Sequence, residues 1–358
     1  MRKVGVIQVI DSLNTGGAEV LAVNIANSLS QKGLNSHMCA TRKEGDLKDN
    51  IDRSVGYLFL NRQKVIDIKA FINFRKYTKA NNISIVHAHA TSFFFAVCMK
   101  LIHWKLKIVW HDHYGKSQDL SLRPSAVLKI SSFFLNTIIS VNNDLKDWAQ
   151  HKLFCKDVLF LNNFALFRNL DEETTLQGSG GNRIIHLAAF RVQKDHENLI
   201  NAFLSFLKRN PTWTLHLVGQ LNNTAYSRKI LQLIKDLKLE KHIFVYDSCL
   251  DIKHILKQSN IGVLSSKSEG LPLALLEYGL AKLPVVVTNV GECAKVVENN
   301  KSGIVVTSNN SLELEEALHI LANSKEKRVL FGEQHHKNVT EKYSEEKFMN
   351  QLLKIYTR

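Results

Sequence analysis

Glu269 and Glu277 stand eight residues apart in a segment that runs Ser266-Lys267-Ser268-Glu269-Gly270-Leu271-Pro272-Leu273 into a helical pattern. A carboxylate accepts pairs of hydroxyl hydrogen bonds, which is how sugar rings are held. Eight residues make about two helical turns, so the second acid meets a different part of the same ligand. The helix start between them offers backbone N–H groups to a phosphate. A capped helix with one buried acid is the competing reading. The accompanying Gly270, Pro272, Gly279 and Pro284 argue against it.

Other residues with chemical potential also follow apolar runs. Phe190-Arg191-Val192-Gln193-Lys194-Asp195-His196 places Arg191 and Lys194 where a diphosphate could be neutralised. Gly219-Gln220 reads as a turn of close backbone approach. Near the N-terminus, Asp11-Ser12-Leu13-Asn14-Thr15-Gly16-Gly17-Ala18-Glu19 leads into a helix. Gly16 and Gly17 let the backbone approach a ligand, and the same residues would serve a plain strand-to-helix turn. The spacing is not G-x-G-x-x-G, so a nicotinamide cofactor is not supported.

Histidines follow two further runs, as His87-Ala88-His89 and His111-Asp112-His113. They converge on one sheet edge. A metal would need three or more of them, and strand alternation argues that they point to opposite sides, so no metal is expected. The five cysteines, Cys39, Cys98, Cys155, Cys249 and Cys293, are odd in number and widely spaced. They read as reduced thiols rather than as a disulfide or metal framework.

Strands must carry these residues. Strand patterns cover residues 4–10, 83–87, 107–110 and 138–141, with a helix over 18–32. They restart over 184–188, 215–218, 243–246, 261–264, 285–288 and 304–306, with helices over 197–208, 226–237 and 273–281. Nearly all-apolar strands are those of a parallel sheet covered on both faces. Between the two sets, residues 168–182 are acidic and then glycine-rich, as a linker is. The expected organisation is α/β, with two doubly wound, Rossmann-like parallel-sheet domains. Ligands of such sheets bind outside the carboxyl ends of the strands.

At 358 residues the chain exceeds one ordinary core. Its formal charge is +14 and uneven: residues 1–167 hold 22 Lys and Arg against 12 Asp and Glu, the remainder 25 against 21. A basic N-terminal half fits an anionic partner. The charges are dispersed and no nucleic-acid motif accompanies them, so nucleic acid is not expected. Lys69, Phe71, Phe74, Arg75, Lys76 and Lys79 on one helical stretch, or Lys100, Lys105 and Lys107 near Trp104, could meet an anionic lipid surface; an ordinary solvated face is the alternative. No signal peptide or membrane span is read, so the expected location is cytoplasmic, against the inner face of the cell membrane.

These motifs resemble the retaining GT-B glycosyltransferases of family 4 across nearly the whole chain. The resemblance is densest over Ser266 to Pro272, Glu277-Tyr278-Gly279-Leu280-Ala281-Lys282-Leu283-Pro284 and Asn299-Asn300-Lys301-Ser302-Gly303. It is looser over Gly16-Gly17-Ala18-Glu19 and the two histidine pairs. It implies two domains facing a cleft: residues 1–167 on the acceptor side and 183–335 binding the donor, with a C-terminal helix over 336–358 crossing back. It implies that Glu277 holds ribose, Glu269 holds donor-sugar hydroxyls and Lys194 neutralises the diphosphate. Gly16 and Gly17 would approach donor phosphates or acceptor, and His113, with His111 as fallback, would contact the transferred sugar. Gly219, Gly270, Leu271, Pro272 and Leu273 complete the donor-binding set.

The implied reaction is hexosyl transfer from a nucleotide-diphosphate sugar to a hydroxyl of a glycan or polyprenyl-linked acceptor, by front-face attack with retention. Its implied setting is bacterial surface polysaccharide synthesis. No Asp-x-Asp motif is present, in keeping with a metal-independent enzyme that needs no cofactor. The chain departs from the family at Ala189, where an arginine is usual and for which Arg191 could substitute, at Lys295 in place of a glutamate, and at Tyr278 in place of an alanine. A nucleotide-sugar epimerase of the same fold, or a non-catalytic scaffold, are the rival readings.

Overall fold

A computed structural model describes residues 5–115, 117–168, 170–178 and 180–358. Among them the strands form two sheets, every strand pair parallel, in two units: residues 5–163 with Glu345–Arg358, and Phe164–Ser344.

The first unit runs β1 (Gly5–Ser12), α1 (Gly17–Gln31), β2 (Asn35–Lys43), β3 (Gly56–Phe59), α2 (Ile68–Ala80), β4 (Ile83–His89), α3 (Phe93–Ile102), β5 (Lys107–Asp112), α4 (Ala126–Ser132), β6 (Thr137–Ser140), α5 (Asn143–Lys152) and β7 (Val158–Phe160). The sheet order is β3-β2-β1-β4-β5-β6-β7. The second unit runs β8 (Arg183–Leu187), α6 (His196–Arg209), β9 (Thr214–Val218), α7 (Ala225–Asp236), β10 (Ile243–Tyr246), α8 (Ile252–Lys257), β11 (Ile261–Leu264), α9 (Leu273–Leu280), β12 (Val285–Thr288), α10 (Cys293–Val296), β13 (Gly303–Val306), α11 (Ser311–Ala322) and α12 (Lys325–Lys342). Its order is β10-β9-β8-β11-β12-β13. The last helix, α13 (Glu345–Thr357), belongs to the first unit.

In each sheet the winding direction reverses beside the first strand, between β1 and β4 and between β8 and β11. Such reversals open a crevice at the carboxyl ends of the two strands. Apolar faces lock the strands in register. Phe74, Phe95 and Trp110 are buried against the first sheet, and Phe203, Phe206 and Trp213 against the second. Each such side chain contributes about 1.5–3 kcal/mol on leaving water.

The division differs in detail from the sequence expectation. The first unit ends at Asn163, and residues 168–182 lie with the second unit rather than forming a separate tether. Asp251 explains this: its carboxylate accepts from the Glu173 and Thr174 backbone and from the Thr174 hydroxyl. Arg183 donates to the Leu176 and Gly178 carbonyls. The return to the first unit begins at Glu345 rather than at 336, because α12 packs on α9. There Gly332 meets the Lys282 carbonyl so closely that a Cβ would overlap it.

Candidate functional site

At the reversal point of the second sheet, the loops after β8 and β11 meet. The β8–α6 loop holds Lys194 in a single 3-10 turn, Val192–Lys194, closed by Asp195 at φ 51°. The Ser265 hydroxyl donates to the Lys194 carbonyl at 2.9 Å, and the Lys267 N–H to the Gln193 carbonyl at 2.8 Å, tying one loop to the other. The Lys194 ammonium then lies 2.5 Å from Glu269 Oε1, and the Ser266 hydroxyl donates to the same oxygen at 2.6 Å. A second bridge joins Lys267 to the buried Asp195 at 2.9 Å. Gly291, after β12, rests on the Glu269 and Gly270 carbonyls, where a Cβ would overlap both. A cation and an anion are thus held together at the strand ends by groups from three loops.

Gly270, Leu271, Pro272 and Leu273 are buried and lead into α9, whose N-cap is Pro272 with no side-chain cap. Glu277, one turn on, is half-buried, and desolvation pushes its carboxyl up to about 7. Arg191 is exposed at the loop mouth. Gly219 approaches the Ala188 carbonyl so closely that a Cβ would overlap it, which fixes the β9 turn against the end of β8. The sequence reading placed Lys194 and Glu269 at separate strand ends, and the structure brings the two side chains into contact. That reading did not single out Asp195, whose partner Lys267 lies on the other loop.

Two departures take on a physical meaning. Tyr278 is turned into the sheet. It is fully buried, accepting from the Leu187 N–H at 2.8 Å and donating toward the Ile185 carbonyl at 3.2 Å. Its ring lies over Gly262, whose missing side chain makes the room. Lys295 is exposed and pairs with the buried Glu292 at 2.9 Å.

The first unit brings its own group together. After β1, Gly16 is the N-cap of α1 with no side-chain cap. A Cβ on Gly17 would meet nothing within 4 Å, so packing does not demand glycine there. Asp11 holds this edge, accepting from Thr41 at 2.5 Å, Arg62 at 3.0 Å and Thr91 at 2.7 Å. Arg123 grips Asp112 with both terminal nitrogens, at 2.6 and 2.9 Å, and lies over the Tyr114 and Trp148 rings. That buried pair shapes the loop after β5. His113 is partly exposed, with Nε2 3.1 Å from His89 Nδ1, and desolvation lowers it to about 3. His111 is fully buried, its ring centroid 4.2 Å from that of His113. Of the two, His113 is the one with surface to offer a ligand.

The basic surfaces read from the sequence need revision. Phe71 and Phe74 belong to the core. Lys100 and Lys107 are turned inward, donating to the Leu106 and Tyr356 carbonyls. Trp104 stays 74% exposed beside Leu101, Ile102 and Lys105, and α4 exposes Val127 and Ile130 around Lys129, with Phe133 exposed just past its end. Among the described residues, no helix is long and apolar enough to cross a membrane.

Two family profiles match the chain in succession: Glycosyltransferase Family 4 over residues 15–158 and Glycosyl transferases group 1 over residues 168–338. The capsular polysaccharide biosynthesis glycosyltransferase CapH of Staphylococcus aureus is 26% identical over 307 residues, 81% of this chain and 83% of its own. The UDP-Gal:alpha-D-GlcNAc-diphosphoundecaprenol alpha-1,3-galactosyltransferase of Escherichia coli is 25% identical over 298 residues, 75% of each chain. Among solved structures, Anabaena HepE in complex with UDP and glucose is similar with a TM-score of 0.82 at 15% identity, over 98% of this chain and 99% of that one. A variant of S. aureus TarM in complex with Fondaparinux, alpha-GlcNAc-glycerol and UDP gives 0.81 at 13% identity, over all of both chains. The two profiles follow each other over most of both units, taking in His113 and the loops of Lys194 and Glu269, and the chain belongs to the family-4 glycosyltransferases: it is an enzyme of the GT-B fold.

Proposed function

We propose that the protein moves a hexose from a nucleotide-diphosphate sugar to a hydroxyl of a glycan or polyprenyl-linked acceptor, with retention, in the synthesis of a bacterial surface polysaccharide. The observation that carries this reading is the Lys194–Glu269 pair, 2.5 Å apart beside the uncapped start of α9. On this reading Glu277 accepts from ribose hydroxyls and Glu269 from hydroxyls of the donor sugar. Lys194, with Arg191 at the loop mouth, stabilises the charge that grows on the departing diphosphate, together with the N–H groups at the start of α9. His113, neutral at physiological pH, hydrogen-bonds the transferred sugar, and the Gly16–Gly17 turn admits donor phosphate or acceptor. No cation is required on the diphosphate. The relatives support the setting: CapH is named for capsular polysaccharide biosynthesis, and the E. coli relative for a diphosphoundecaprenol-linked substrate.

The test is a transfer assay with purified full-length protein, a panel of nucleotide sugars and a polyprenyl-diphosphate-linked sugar. Transfer with the anomeric configuration kept, a rate that added magnesium or manganese does not raise, and a loss of at least about 100-fold in Lys194→Ala and Glu269→Ala are expected. Epimerised donor without transfer, or full activity in both variants, would overturn the reading. We also propose peripheral attachment to an anionic membrane, for which the exposed apolar and basic groups around Trp104 and on α4 are the support. Failure to float with anionic vesicles at low salt would remove that part alone.

A further inference from the structure

The ends of β4 and β5 gather histidines that the donor chemistry of the second unit does not use. His87, His89 and His111 are each fully buried, and their ligating nitrogens all lie within 4.8 Å of one another. The register explains why. His89 pairs with His111 across the two strands, and His87 precedes His89 by two residues. Side chains two apart share a face, and in-register neighbours on parallel strands share it too. The expectation that alternation separates these histidines therefore fails: it separates adjacent residues, not those of an H-x-H pair.

Their hydrogen bonding is incomplete in a particular way. Both ring nitrogens of His111, and Nε2 of His87, have no hydrogen-bond partner among the described residues. Buried polar atoms are ordinarily satisfied, so these call for an explanation. The remaining nitrogens are oriented by outer groups. His89 Nε2 lies 2.9 Å from Gln8 Oε1, an acceptor only, so Nε2 carries the proton and Nδ1 keeps its lone pair. Gln8 Nε2 donates to the Tyr356 hydroxyl at 3.2 Å, and that hydroxyl lies 2.7 Å from His87 Nδ1. In the tautomer in which His87 Nδ1–H donates to the phenol, Nε2 is left as a lone pair. Such a set of imidazoles backed by an amide and a phenol is what a bound transition metal needs.

We infer that His87, His89 and His111 bind one divalent first-row transition ion, zinc or a close neighbour, within the first unit. Three imidazoles and no carboxylate favour such an ion over magnesium or calcium. His113 Nε2 stands 3.1 Å from His89 Nδ1. Adjacent ligands around a tetrahedral zinc, with Zn–N of about 2.0–2.1 Å, are separated by roughly 3.3 Å, so His113 or a water can take the fourth position. The ion would pin the ends of β4 and β5 to α13 through Tyr356 and set the orientation of His113. It is separate from the diphosphate, which the proposed reaction handles without a cation.

Cobalt and zinc test this on full-length protein from which any histidine tag has been cleaved. The expected result is one equivalent of Co²⁺ per chain with the intense visible absorption of four-coordinate cobalt, displaced by one equivalent of Zn²⁺. Tyr356→Phe, which alters only an orienting group, should weaken cobalt binding about 10- to 100-fold, and His111→Gln at least as much. His151→Gln, on the exposed end of α5, should change nothing. A weak octahedral spectrum alone, or binding that neither Tyr356→Phe nor His111→Gln diminishes, would overturn the inference. If His111→Gln fails to fold, the wild-type spectrum and Tyr356→Phe decide it.

Discussion

Replacing Lys194 by Met keeps the aliphatic stem and removes the ammonium from the more enclosed of the two charge pairs between the β8–α6 and β11–α9 loops. The Lys194 side chain is 20% exposed and that of Glu269 7%, so the pair is shielded from water and salt. Removing one partner of a buried ion pair costs about 3–5 kcal/mol. The lower end, about 3 kcal/mol, applies here because the Ser266 hydroxyl still donates to the same carboxylate oxygen. Glu269→Gln alone should cost a similar amount by stranding the ammonium. The double variant Lys194→Met/Glu269→Gln removes both charges and should lie within about 1 kcal/mol of the parent, a coupling of several kcal/mol. Urea unfolding, with the second unit followed through amide exchange of β8 and β11, measures stability free of the first unit. Transfer kinetics should not follow stability: kcat/KM falls about 10²- to 10³-fold in Lys194→Met and is not restored in the double variant. Additive stability losses, or activity that recovers with stability, would refute a role for this pair beyond folding.

Acid should unfold the second unit early. His186 and His335 are lowered to about 4 and His216 to about 3, chiefly by desolvation. The unfolded chain takes up these protons below about 6.5 and the folded unit does not, so stability is full above that pH and is lost as pH falls toward the folded values. At pH 5 each costs about 2 kcal/mol, together about 6 kcal/mol, and urea unfolding at pH 7.5 and pH 5 should show that drop, reduced by about a third in His216→Asn. Nucleotide affinity should rise about tenfold from pH 6 to pH 8, as Glu277, pushed up to about 7, ionises to accept ribose hydroxyls; calorimetric titration should find no such rise in Glu277→Gln. Gly262→Ala puts a Cβ 2.7 Å from the Tyr278 ring, an overpacking of about 1–3 kcal/mol, and should leave the kinetics of the folded enzyme unchanged. Pro272→Asp puts a negative charge at the buried start of α9, and nucleoside diphosphate affinity, read by calorimetric titration, should drop at least tenfold.

Local patterns made much of this legible. Apolar β-branched runs placed β4, β8, β9, β11 and β12 within a residue or two, because strands covered on both faces admit little else. Strands without such runs were not read: β2, Asn-Ser-His-Met-Cys-Ala-Thr-Arg-Lys, and β3, which starts on glycine. Lys194 and Glu269 were legible as strand-end residues of opposite charge. The role of Tyr278 was not legible, because its neighbour Gly262, sixteen residues earlier, is what turns a bulky ring into a sheet contact. Asp11 and Arg62, Asp112 and Arg123, and Gln8 and Tyr356 are partners only once the strands are ordered, the last pair lying 348 residues apart.

The helix starts separate binding from folding in a way that sequence alone does not show. Side chains cap α2, α5, α7, α11 and α12, through Asp67, Asn142, Thr224, Asn310 and Ser324. None caps α1, α3, α4, α6, α8, α9 or α10, and four of these, α1, α3, α6 and α9, follow β1, β4, β8 and β11, the strands flanking the two reversals. A cap is worth about 1 kcal/mol, so four are forgone where stability alone would favour them. Residue type does not account for all of it. Ser92 stands at the start of α3, yet its hydroxyl donates to the Val9 and His89 carbonyls. Asp195 stands at the start of α6, yet it adopts a left-handed backbone and turns its carboxylate to Lys267. Where an acceptor was at hand it is aimed elsewhere. The Tyr226 hydroxyl meets the start of α6, accepting from the His196 N–H at 3.0 Å, whereas no side chain caps α9 beside the Lys194–Glu269 pair, and an incoming anion would find its N–H groups there.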